Sequence, residues 1–169
     1  INDCDVPAYI YAGFGYLMTV LEALAQFPAL LFFIVLLLGL TVGSFLNVVI
    51  YRLPVMMERD WKQECSLLLD STEPDEQQET FNLATPNSHC PKCSHPIKAW
   101  QNIPVISYLL LKGKCANCKT TISARYPLIE AACGIISLIA AWQLGATPQL
   151  LAGLVLSWAL ISLTMIDID

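Results

Sequence analysis

Charge is what this chain lacks most: Asp, Glu, Lys and Arg make up 14% of its 169 residues, where an ordinary globular domain has roughly a quarter. With 56% hydrophobic residues, that shortage excludes a simple water-soluble globule and points to an integral membrane protein. No Lys or Arg precedes Arg52 or follows Arg125, and the nine basic groups between them are too few and scattered for a nucleic-acid footprint. The net charge of -5 reflects one acidic run holding Glu73, Asp75, Glu76 and Glu79. The opening residues lack a basic n-region and contain Asp3, Asp5 and Pro7, so they do not look like a signal peptide. Met18 would be a natural start, so residues 1–17 are expected to be an extension or an ordered extracytoplasmic arm. No glycine-rich dinucleotide fingerprint follows an expected strand, and no internal repeat is visible.

What is abundant is long apolar sequence. Residues 29–51 run without a charge, enough at helical rise for roughly 30 Å of hydrocarbon, and make a first transmembrane helix after an N-terminal stretch over 1–28. Gly39 and Gly43 within it form a small-xxx-small pair that lets another helix approach closely. Arg52 and Pro54 are expected to end it at the water interface. Residues 52–126 are polar and proline-rich, with an acidic, Gln-rich run at 70–80 expected to be mobile. The less polar stretch Ile103 to Leu111 suits packing on a metal module or lying at the membrane surface. Pro127 opens a second crossing over 127–144, residues 145–148 form a hairpin, and 149–166 form a third crossing. Because basic residues concentrate in cytoplasmic loops, the 52–126 loop is expected inside and the hairpin outside. The rule weakens for loops beyond about 60 residues, but the asymmetry is complete.

Seven cysteines include two C-x-x-C knuckles, Cys90/Cys93 and Cys115/Cys118, separated by 21 residues. Cytosolic thiols stay reduced, so paired knuckles on that side read as a metal site rather than as disulfides. Four thiolates suit a closed, structural zinc site that folds a loop with little core of its own; iron and a redox dithiol are the alternatives. His89 and His95 flank the first knuckle and are expected to stand outside the ligand set. Cys133, among apolar residues, reads as a small buried hydrophobe.

Few polar groups interrupt the apolar segments. Asp167 and Asp169 stand at the mouth of the third crossing, where a solvated helix end and a functional carboxylate are both open readings. Two residues apart, they point about 200° away from each other on a helix, so one of them should face a given site. Glu130 reads first as a helix N-terminal carboxylate favoured by the dipole, and second as a polar contact inside the bundle with Asn47 or a substrate. Asn47 itself reads as an interhelical bond, beside Ser44 and Arg52 at the edge where Asp167 emerges.

The run Gly43-Ser44-Phe45-Leu46-Asn47-Val48-Val49-Ile50-Tyr51-Arg52-Leu53-Pro54, the two knuckles, Arg125-Tyr126-Pro127-Leu128-Ile129-Glu130 and Ile166-Asp167-Ile168-Asp169 together resemble the N-terminal part of the bifunctional type IV prepilin peptidase and N-methyltransferase family. The resemblance covers about residue 32 to 169, with the motifs in order. It implies an all-α polytopic membrane protein with a cytoplasmic zinc-binding loop domain, in the bacterial inner membrane. It also implies an aspartic peptidase that removes the basic leader of type IV prepilins or type II secretion pseudopilins and methylates the new N-terminus from S-adenosylmethionine. By the same resemblance Asp167 matches the first catalytic aspartate, and Cys90, Cys93, Cys115 and Cys118 match the zinc ligands; from their positions Ser44, Asn47, Arg52 and Glu130 are expected at the substrate side or edge of the site. The family's second aspartate lies in a G-x-G-D motif that this sequence does not contain. The chain is therefore expected to be an N-terminal fragment, inactive alone as a peptidase because one carboxylate cannot fill both proton-transfer roles. The competing expectation is a membrane-anchored structural zinc module without chemistry, and a downstream G-x-G-D in an apolar segment would separate the two.

Overall fold

A computed structural model describes residues 8–68, 81–85, 88–90, 92–97 and 99–168. Among them lie five α-helices, α1 (Ala8–Gln26), α2 (Pro28–Leu68), α3 (Ile106–Leu110), α4 (Arg125–Leu144) and α5 (Pro148–Ile168), a 3-10 turn at Ala99–Asn102, and no strand beyond two isolated bridges. Three helices, α2, α4 and α5, are long and apolar enough to cross a membrane. Asp169 and the acidic run lie outside the described residues.

Helix α2 does not stop at Arg52 and Pro54 as the sequence suggests; it continues to Leu68. Proline at position 54 removes one backbone bond, to the carbonyl of Ile50. Beyond it Met56, Met57, Glu58, Arg59, Lys62, Gln63 and Glu64 are all strong helix formers, and Glu58 pairs with Lys62 at 2.7 Å, one turn on. Local propensity over four turns outweighs one missing bond, so part of the expected loop is helix. The stretch before the first crossing is helical too, as α1, and a turn at Phe27 joins it to α2.

Helix α2 packs chiefly along α4. A Cβ added at Gly43 would stand 2.8 Å from the Glu130 Cα and 3.0 Å from the Cys133 Cβ, while one at Gly39 would stand 2.5 Å from the Ser137 Oγ. The small-xxx-small pair is thus the contact line of the two helices. Leu31, Val35, Ala141, Leu150 and Leu154 fill the core near the hairpin, and Leu46, Ile50, Ile129 and Cys133 fill it at the opposite end. Cys133 is fully buried. Two polar groups inside the bundle satisfy one another: Trp158 Nε1 donates to Ser137 Oγ at 3.0 Å, and that hydroxyl donates to the Cys133 carbonyl at 2.6 Å. Around this core Phe33, Leu37, Phe45, Ile135, Trp142, Val155 and Leu160 face outward. Such a surface suits lipid and would be a liability in water.

The hairpin is tight. Gly145 takes a positive φ of 61° after α4, a conformation open to glycine at no steric cost, and Pro148 starts α5 at the position where its missing N–H is no loss. Helix α5 extends beyond the expected 149–166 and carries Asp167 in its last turn.

Candidate functional site

The four knuckle cysteines come together as the sequence spacing requires. Their Sγ atoms lie within 4.8 Å of one another, and Cys90 Sγ stands 3.8 Å from Cys118 Sγ. A tetrahedron with Zn–S bonds of about 2.3 Å has an edge of about 3.8 Å, so these residues fit zinc. Neither histidine belongs to the cluster; His95 contributes its carbonyl, which accepts from the Cys90 N–H at 3.0 Å. Hydrogen bonds from the Thr120 side chain and backbone lower the Cys118 thiol to about 6, toward the thiolate that a metal needs.

The knuckles are two copies of one turn, which corrects the expectation that the chain holds no repeat. In the first, Ser94 N–H donates to the Cys90 carbonyl, Cys90 N–H to that of His95 and Ile97 N–H to that of Ser88. In the second, 25 residues on, Lys119 N–H donates to the Cys115 carbonyl, Cys115 N–H to Thr120 and Ile122 N–H to Gly113. The matching positions Ser94 and Lys119 both have positive φ, 54° and 60°, and each copy carries a matching bridge, His89 to Pro96 and Lys114 to Thr121. The sequence signal was C-x-x-C-x-x-x-I, Cys90 to Ile97 and Cys115 to Ile122. It is too short to stand out as a repeat until the two knuckles are laid over each other.

A second set of polar residues ties this module to the helices. Glu130 is buried, and its Oε2 accepts the Val105 N–H at 2.7 Å. The simple helix-dipole reading of Glu130 therefore gives way to a polar contact, with a loop amide as partner rather than Asn47. Val105 has φ 58° and ψ -45°, a rare conformation for a β-branched residue that costs on the order of 1–3 kcal/mol. The hydrogen bond from the Val105 N–H to the Glu130 carboxyl oxygen, worth about 1 kcal/mol, offsets part of that cost and helps hold the loop in that shape. Neither residue type nor spacing announces this pair, because its members are 25 residues apart and one contributes only its backbone.

Asn47 makes the interhelical bond its position suggested, donating through Nδ2 to the Tyr126 carbonyl at 3.2 Å. The adjacent Arg125 donates through Nη2 to the Met165 carbonyl at 3.4 Å, a cation on the carbonyl-rich end of α5. These bonds place the end of α5, with exposed Asp167, at the same rim as Asn47 and the start of α4. Arg52 is buried, donates to the Asn82 carbonyl at 2.8 Å, and shares the Phe81 ring with Arg59. It anchors the short segment at Phe81 and Asn82 to α2. Ser44 is buried, and its Oγ has no hydrogen-bond partner among the described residues.

Residues 37–144 match the family described as Bacterial Peptidase A24 N-terminal domain. The chain is 51% identical over 153 residues to a prepilin leader peptidase/N-methyltransferase of Stutzerimonas stutzeri, covering 90% of this chain and 52% of that protein. It is 58% identical over 132 residues to the protein of that name from Neisseria gonorrhoeae, 78% of this chain and 46% of that one. A third, from Legionella pneumophila, is 43% identical over 144 residues, with 85% and 50% covered. The chain spans about half the length of the curated relatives it matches. No solved structure matches it. With residues 37–144 matched in this way, the chain belongs to the family of the bacterial peptidase A24 N-terminal domain.

Proposed function

We propose that this chain works in the inner membrane as the N-terminal portion of a prepilin leader peptidase and N-methyltransferase, with the knuckle loop cytoplasmic. Its substrates are type IV prepilins or type II secretion pseudopilins. The observation that carries this reading is the identity to proteins of that name over 78–90% of the chain, a span that includes all four knuckle cysteines. Membrane-length helices and a four-thiolate cluster of zinc dimensions support it.

Asp167 supplies one of the two carboxylates of an aspartic peptidase. In such a pair one carboxylate takes a proton from the attacking water while the other donates to the scissile group, so the second group comes from outside this sequence. The bond from Arg125 to the Met165 carbonyl ties the last turns of α5, and with them the Asp167 backbone, to the start of α4, which the Asn47 to Tyr126 bond in turn ties to α2. Cys90, Cys93, Cys115 and Cys118 would hold zinc, which with four thiolate ligands would crosslink the two knuckles in a structural rather than catalytic role. S-adenosylmethionine is the donor the family resemblance implies. Among the described residues no strand leads into a glycine-rich turn, and no residue of this chain is assigned to that donor.

Deleting the gene should leave the major prepilin or pseudopilin with its leader, seen as slower migration on a gel. Complete processing in the deletion strain, with no second copy of such a peptidase encoded, would refute the proposal.

A further inference from the structure

We infer that the segment Ile103 to Leu110 is an interfacial membrane anchor, seated in the leaflet where α4 begins and gripping anionic phospholipid through the lysines that follow it. Ile103, Ile106, Leu109 and Leu110 are 44%, 55%, 68% and 70% exposed, although they sit outside the three membrane-length helices. Their spacing of three and four residues puts the last three on one face of α3. The opposite side faces the zinc module: Ser107 is buried, and Tyr108 lies against Gly113 with its hydroxyl directed at the Ile122 carbonyl, 3.5 Å away. The segment is thus amphipathic, with its polar side already occupied.

Its depth follows from the Glu130 contact. Helix α4 has 20 residues, which at helical rise is about 30 Å, the thickness of the hydrocarbon layer. Glu130 comes five residues after Arg125, so its Cα lies about 7.5 Å from the start of the helix. Its side chain leans back toward the helix N-terminus. Val105, bonded to it at 2.7 Å, is therefore held roughly 4–8 Å inside the span, overlapping the 5–10 Å at which amphipathic segments bury their apolar faces. Tyr126 and Leu128, on the first turns of α4, are also exposed, so the apolar surface of the segment stands at the depth of a face read as lipid-covered. Exposed Lys112 and Lys114 follow directly, and each basic group near an anionic leaflet adds about 1 kcal/mol of attraction. A bilayer meets both the depth and the charge, whereas a protein partner would have to share the site with lipid headgroups.

This inference rests on the reading of α4 as a crossing, and one experiment separates the two. The zinc-loaded protein is placed in nanodiscs of phosphatidylethanolamine and phosphatidylglycerol containing a phospholipid with a diazirine on its acyl chain, irradiated, and mapped by peptide mass spectrometry. Carbene adducts should appear on Ile106, Leu109 and Leu110 within a few-fold of the yield at Leu128, and several-fold above that at Trp61. Adducts at Leu128 and Leu156 with only background at 106–110 would overturn the anchor and leave the crossings standing. Background at Leu128 and Leu156 as well would remove the membrane reading itself.

Discussion

Replacing Gly43 by Ala should loosen the bundle more than the same change at Gly153, because what stands in the way is backbone and a fixed Cβ. The added methyl would lie 2.8 Å from the Glu130 Cα and 3.0 Å from the Cys133 Cβ, and neither can rotate aside. The two helices would have to separate by roughly half an ångström to an ångström to restore ordinary contact near 3.5 Å. Overpacking of that kind costs about 1–3 kcal/mol, a fall in apparent Tm of roughly 2–12 °C for a chain of this size. At Gly153 the nearest atom is the Leu144 Cδ1 at 3.1 Å, the end of a flexible side chain, so Gly153→Ala should change little. The assay is thermal unfolding in detergent followed by circular dichroism, with both variants beside the parent. A Gly43→Ala protein that melts with the parent, or below which Gly153→Ala melts, would show that α2 and α4 do not meet along this line.

Zinc should bind one equivalent per chain, and Cys115→Ser should lose most of it while the helical signal of the crossings persists; less than about a quarter of an equivalent in the parent by elemental analysis, or an iron-sulfur absorption band, contradicts the assignment. Glu130→Ala leaves the part-buried Val105 amide without its acceptor, costing about 1–3 kcal/mol, and should raise protease cleavage between residues 103 and 124 several-fold. Glu130→Gln keeps an acceptor and should fall between the two, whereas equal cleavage in all three would dismiss the latch. With Thr147→Cys, an impermeant thiol reagent should label intact cells at the hairpin; labelling at 147 only after lysis would reverse the topology and remove Asp167 from the cytoplasmic rim.

The crossings were legible because hydropathy over twenty residues is a sum, insensitive to detail, and the cysteine cluster because ligand spacing is short-range. Pro54 is a false stop for α2, since one local breaker is outweighed by the helix formers from Met56 to Glu64 that follow it. Gly39 and Gly43 announce a close helix contact, but that α4 rather than α5 fills it depends on Glu130, Cys133 and Ser137, which lie far along the chain. The Val105 to Glu130 and Arg125 to Met165 bonds were invisible for a simpler reason: each uses a backbone group, and every residue has one. The knuckle repeat lay in plain view at a shift of 25 residues, hidden by how few positions carry it.

The most direct test of the proposed chemistry is the N-terminus of the pilin or pseudopilin made by cells whose chromosomal gene carries Asp167→Asn, measured by intact mass. The account predicts that the leader remains attached in that strain, because water activation or proton donation is lost, while Asp169→Asn cells yield mature, methylated protein. Mature pilin from the Asp167→Asn strain at the level of the parent would contradict the assignment of Asp167 as a catalytic carboxylate.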